Sequence, residues 1–142
     1  MFIRIQFTLL FLFSFLFNTL AQQNSEKLTE TAEQNDTLTF AGSMPLFQGG
    51  SDEAFARYVQ SKIIYPKDAL KNHIQGTVYV QYIIEKDGKV SNVMIVPGKN
   101  LYPSIDQMVI DIVSQSPAWE PGSNNGKPVR VKKIIPVRFT IN

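Results

Sequence analysis

A proline stands in the middle of the last apolar run of this chain, and it limits what that run can become. From Val129 to Ile141 the residues alternate. Val129, Val131, Ile135, Val137, Phe139 and Ile141 fall on one face of an extended strand, and Arg130, Lys132, Ile134, Arg138 and Thr140 fall on the other. Pro136 has no N–H to give to a neighbour, so a strand that carries it mid-length belongs at a sheet edge or a bulge. We read the run as an edge strand. Lys133 breaks the apolar face, and a local bulge is expected there. An edge leaves backbone groups unpaired, and a second extended chain can complete them.

The preceding elements follow from period and punctuation. Ser51 reads as the N-cap of a helix with Asp52 and Glu53 in its first turn, and Phe55, Tyr58, Val59 and Ile63 share one of its faces. Tyr65-Pro66 ends it, and Pro66 opens a second short helix that packs Ala69, Leu70 and Ile74. Thr77 to Ile84 is a strand rich in β-branched and aromatic residues, apolar on both faces and therefore central. Asp87-Gly88 turns the chain into a hairpin that returns through Val90 to Val96. Ser104 is the expected cap of a last helix, in which Ile105, Met108, Val109, Ile112 and Val113 form one stripe. Ser116-Pro117 stops it, and residues 118–128 read as a Pro/Gly/Asn loop with Trp119 as a core plug. The order helix, short helix, strand, strand, helix, strand predicts an α+β fold. Two helices plus one short helix lie on one face of a three-stranded antiparallel sheet.

The N-terminus differs in kind. Six of the ten phenylalanines lie in the first 17 residues, where Arg4 is the one charge. Arg4, the apolar stretch from Phe7 to Phe17 and the small-residue site Thr19-Leu20-Ala21 read as a secretory signal over residues 1–21, cleaved after Ala21. The alternative is a short N-terminal anchor that holds the chain to the inner membrane, facing the periplasm. Residues 22–43 are polar and read as a flexible tether, with the folded domain spanning 44–142. Beyond Gly122 there are five bases and no acid. They alternate with apolar residues, so they read as a solvated strand face and not as a nucleic-acid surface.

Chemistry is narrowed by what is missing. With no cysteine and one histidine, thiol catalysis, disulfides and multi-histidine metal sites are excluded. His73 has no serine or carboxylate set around it in a nucleophile pattern. The segment Gly122 to Lys127 has three intervening residues where a phosphate loop needs four, with Pro128 where Ser or Thr belongs. Gly49-Gly50 reads as a hinge, and Asp106 and Asp111, five apart, face different sides of their helix. No catalytic residue, metal or cofactor is expected.

Taken together, Met44-Pro45-Leu46-Phe47-Gln48-Gly49-Gly50, Tyr65-Pro66, Ile74-Gln75-Gly76-Thr77-Val78, Asp87-Gly88-Lys89-Val90, Ser116 to Gly122 and Gly126 to Val131, followed by Pro136-Val137, resemble the TonB C-terminal domain family. The resemblance gives Tyr65, Pro66, Gly76, Gly88, Pro117, Trp119, Pro121, Gly122 and Pro136 as structural positions of its motifs. It implies a periplasmic domain that docks the TonB box of outer-membrane receptors by strand addition, with force supplied by proton-driven motor proteins of the inner membrane, in uptake of siderophores, cobalamin or glycans. Carried onto this chain, the docking edge is Arg130, Val131, Lys132, Lys133, Ile134, Ile135, Val137, Arg138 and Thr140, and Arg130, Lys132 and Arg138 meet acidic side chains of the partner. The alternatives are a soluble adaptor or decoy, and a self-associating structural domain that pairs with a second copy through the same edge.

Overall fold

A computed structural model describes residues 37–142; the expected signal and residues 22–36 of the expected tether lie outside the described residues. The elements are β1 (Thr37–Leu38), α1 (Asp52–Lys62), α2 (Lys67–Lys71), β2 (Gly76–Ile84), β3 (Val90–Ile95), α3 (Pro103–Ser114), β4 (Gly122–Asn124) and β5 (Lys127–Phe139). The strands β3, β2 and β5 form an antiparallel sheet with β2 in the centre, as its two apolar faces predict. The sheet is larger than three strands. β1 adds in parallel to the outer side of β5, and β4 pairs with the start of β5.

One core lies between the sheet and the helices. Val78, Val80, Tyr82 and Ile84 of β2 and Val131, Ile135, Val137 and Phe139 of β5 are buried, as are Phe55 and Val59 of α1 and Ile105, Val109 and Val113 of α3. At one end Phe47, Phe55, Tyr82 and Trp119 meet in tilted and edge-on pairs, with Phe55–Trp119 ring centroids 4.8 Å apart and Phe47–Trp119 5.2 Å apart. Trp119 is the core plug its sequence context suggests. Such pairs contribute about 0.5–1.5 kcal/mol each beyond the area they bury.

Backbone bonds hold the tryptophan segment from both sides. The Trp119 amide donates to the Gly88 carbonyl at 2.8 Å, and Leu46 and Glu120 exchange amide–carbonyl bonds at 3.0 and 2.9 Å. Tyr65 donates its hydroxyl to the Ile74 carbonyl and sets its ring edge-on to Phe139. Gly122 fits against Val131, Pro45 and Ser43, where a Cβ would come within 2.8 Å of the Val131 side chain. These motif positions therefore serve packing.

Several local expectations are corrected. Ser104 does not cap α3: Tyr102 is the N-cap with Pro103 in the first turn, and the Ser104 hydroxyl donates to Asp68 at 2.9 Å. Pro66 precedes α2 as its N-cap and does not open it as the first helical residue. Residues 118–128 contain a hairpin, because Asn125 and Gly126 both adopt positive φ (50° and 75°), the geometry that a two-residue turn between paired strands requires. Lys133 sits at no bulge, since β5 pairs with β2 in unbroken register from Gly76↔Phe139 to Ile84↔Val131. The irregularity lies between β2 and β3, where Asn92 takes φ 46°. Residues 37–43, read as the end of the tether, pair with the domain: β1 lies on β5, and Ser43 bridges Ser123.

Gly88 is the most constrained turn residue. It has φ +83°, and a Cβ there would lie 2.0 Å from the Trp119 carbonyl oxygen. Gly88→Ala is expected to destabilise the domain by roughly 1–3 kcal/mol, through left-handed strain and loss of the tryptophan clamp. Urea denaturation followed by Trp119 fluorescence measures it, and an unchanged midpoint would refute this account of the turn.

Candidate functional site

The outer side of β5 follows from the direction of one hydrogen bond. The Val96 amide donates to the Tyr79 carbonyl, so Tyr79 turns its backbone groups toward β3. Its neighbours Val78 and Val80 must then turn theirs toward β5, where they face Val137 and Ile135. Along β5 the odd-numbered residues bond β2, and the even-numbered ones point outward. Pro136, paired with Tyr79, is among the outward set. Its missing N–H therefore takes nothing from the β2–β5 ladder.

This parity sorts the sequence-predicted edge residues. The side chains of Val131, Lys133, Ile135 and Val137 are buried on the helix side, and their backbone groups face β2. Arg130 and Val131 lie under β1, in register with Thr37 and Leu38. Beyond β1, Ile134, Pro136 and Arg138 direct two amides and three carbonyls outward, and no strand covers them among the described residues. Lys132 is half-buried at the start of this stretch, Ile134 is 51% exposed, and Arg138 and Thr140 are exposed.

The three bases expected to meet a partner's acids have different fates. Arg130 is engaged within the fold: its Nε donates to Glu85 Oε2 at 2.8 Å and its guanidinium to Glu85 Oε1 at 3.0 Å. Lys132 and Arg138 stay on the open face beside Ile134 and Pro136. Lys133, buried against the core, brings its Nζ to the Asp52 carboxylate of α1 and lies 5.6 Å from the Trp119 ring centroid. That ion pair fastens the first turn of α1 to β5.

Where α1 meets the outer edge there is a cleft of about 260 Å³. Asp52, Glu53 and Ala56 of α1 face Ile134, Ile135 and Pro136 of β5 across it, with Tyr82 at the floor. Burial, and then the Asp52 carboxylate, push the Tyr82 hydroxyl far above the usual phenol value, so it stays a proton donor. Sequence reasoning missed the cleft, since its two walls are about 80 residues apart in the chain. No group of acidic and histidine residues able to hold a metal occurs among the described residues, and no helix among them is long and apolar enough to cross a membrane.

The Arg130–Glu85 pair gives a pH signature. Desolvation raises the Glu85 pKa, but the hydrogen bonds from Arg130 and Ser91 and the Arg130 charge outweigh it, and the carboxyl is held below its ordinary value. A depressed carboxyl stabilises the fold above its unfolded value and loses that contribution as pH falls through its folded value. Arg130→Gln should therefore destabilise at neutral pH, with the difference from the native protein shrinking on acidification through and below the carboxylate range. Paired denaturation curves across pH test this, and a difference independent of pH would remove the ion pair from the account.

Comparisons with known proteins give the family. Residues 61–141 match the family described as Gram-negative bacterial TonB protein C-terminal. No curated protein matches the sequence. Among solved structures, the chain is similar to a shorter fragment of the Helicobacter pylori TonB C-terminal domain, with 23% identity, 62% of this chain and 90% of that one covered, and a TM-score of 0.45. A longer fragment of the same domain gives 23%, 68%, 91% and 0.42. With more than half of its length matched by the family, the chain belongs to the TonB C-terminal domain family.

Proposed function

We propose that this protein is a periplasmic TonB-like docking domain. Its partner is the TonB box of outer-membrane receptors, which adds as a strand to the outer edge of β5. In this reading residues 1–21 export the chain, the polar tether follows, and the domain from Thr37 does the binding. Coupling to proton-driven motor proteins of the inner membrane would make it a transducer in receptor-mediated uptake of siderophores, cobalamin or glycans. The observation that supports the reading best is the outward row at Ile134, Pro136 and Arg138, uncovered by any strand among the described residues. An uncovered edge of this kind accepts an extended peptide through backbone bonds.

Magnitudes favour a weak, reversible contact. Five outward groups at a net ~1 kcal/mol each come to about 5 kcal/mol, a few tenths of a millimolar, and the ordering of a mobile peptide takes the backbone contribution to about millimolar. A contact that must release its partner needs no more. Lys132 and Arg138 add charge on the open face, which steers an acidic segment toward the edge.

Proline scanning tests the edge directly. Ile134→Pro removes an outward amide, so the fold should survive while receptor N-terminal peptides no longer shift the Arg138 amide signal. Ile135→Pro removes an inward bond to β2 and leaves a buried carbonyl unpaired, which should cost about 1–3 kcal/mol of stability. If Ile134→Pro unfolds the domain, or if the α3 amides respond to peptide in place of those of β5, strand addition at this edge is wrong.

A further inference from the structure

The cleft between α1 and β5 borders the outward row at one particular place. A strand added along β5 points every second side chain toward the helix layer, and at Ile134 to Pro136 that direction leads into the cleft. At the same place the ladder is weakest, because Pro136 offers no amide to an incoming carbonyl. The backbone fails where a side-chain anchor is available.

The chemistry of the walls specifies the anchor. Ala56 and Ile135 give the cleft its apolar part, Ile134 and Pro136, whose side chains lie on the open face, border it with their outward backbone, and Asp52 and Glu53 line it from the first turn of α1 with the buried Tyr82 beneath. Asp52 already faces Lys133, so Glu53 is the acid with charge to offer. Glu53 is fully exposed, accepts a hydrogen bond from the Ser51 hydroxyl, and feels Arg57 more weakly. An aliphatic stem along the cleft with a cation beside Glu53 satisfies every wall. A short apolar side chain would bring no cation to Glu53, and an acid would meet its charge directly.

Resting on strand addition at β5, we propose that this cleft is a side-chain subsite of the docked strand, and that it selects lysine or arginine. The partner segment is thus sorted by face. It carries a basic residue toward α1, and acids on the opposite face toward Lys132 and Arg138.

A host peptide tests the subsite: a capped nine-residue strand of alternating threonine and valine with lysine, alanine or glutamate as central guest, titrated into the labelled full chain. All three guests should shift the Ile134 and Arg138 amides, and the lysine peptide should bind about two- to fivefold tighter than the glutamate peptide at low salt. Glu53→Gln should erase that preference, and Ala56→Leu, which fills the cleft, should erase it as well. Equal affinities with β5 shifts intact would overturn the subsite and leave strand addition standing, as would a lysine preference that survives both substitutions. Absence of β5 shifts with every guest would overturn strand addition itself, and the subsite with it.

Discussion

Every strand sends out two rows of backbone groups, and in β5 a single register assigns both rows. Nine consecutive pairs join β5 to β2 without a slip. Two alternations of period two are superimposed on that register: the odd residues both bond β2 and send their side chains into the core, while the even residues do neither. A shift by one residue would bury Lys132 and Arg138 and expose Val131, Val137 and Phe139. The core therefore forbids it. Pro136 is tolerated for the same reason, since the row it belongs to makes no bond with β2. Packing of one face decides which backbone groups are left for a partner.

That much was legible in sequence, because the strand alternation and the proline are local signals. The helix stripes around Phe55 and Val109 and the central position of β2 were legible on the same grounds. What was not legible depends on residues distant in the chain. Lys133 looked like a defect in an apolar face, and its partner Asp52 lies on a helix 81 residues earlier. Arg130 looked available to a partner until Glu85 took it across the sheet. Ser104 looked like a cap, but Asp68 offered its hydroxyl a better-placed acceptor, and the Asp106 carboxylate served the loop instead through the Leu101 amide. The β4 hairpin is the one miss that had a local signal, Asn125-Gly126, inside a stretch whose prolines argued for a loop.

The buried lysine links the core to the candidate edge. A buried ion pair is poor evidence of stability, because desolvation offsets much of the attraction. Lys133 reduces that cost: its partner Asp52 remains 68% exposed, and the Trp119 ring receives the cation on its face. The consequence is positional. With Asp52 held to β5, the first turn of α1 overhangs the outer edge, and Glu53 and Ala56 come with it. The cleft is thus a product of the same contact that closes the aromatic end of the core.

β1 sets the other limit of the edge. Thr37 and Leu38 run parallel to β5 over Arg130 and Val131, and the chain then departs so that Ser43 can bridge Ser123. This internal pairing demonstrates that the outer row of β5 accepts a parallel strand, and it takes the first two positions out of play. Any further strand has to begin near Lys132, so its useful contacts fall on Ile134, Pro136 and Arg138 and beside the overhanging turn of α1. With so few backbone groups available and one amide missing, backbone pairing alone discriminates poorly between sequences. Discrimination must then come from side chains, and on this edge the side-chain features are the acid-rimmed cleft on one face and the two bases on the other.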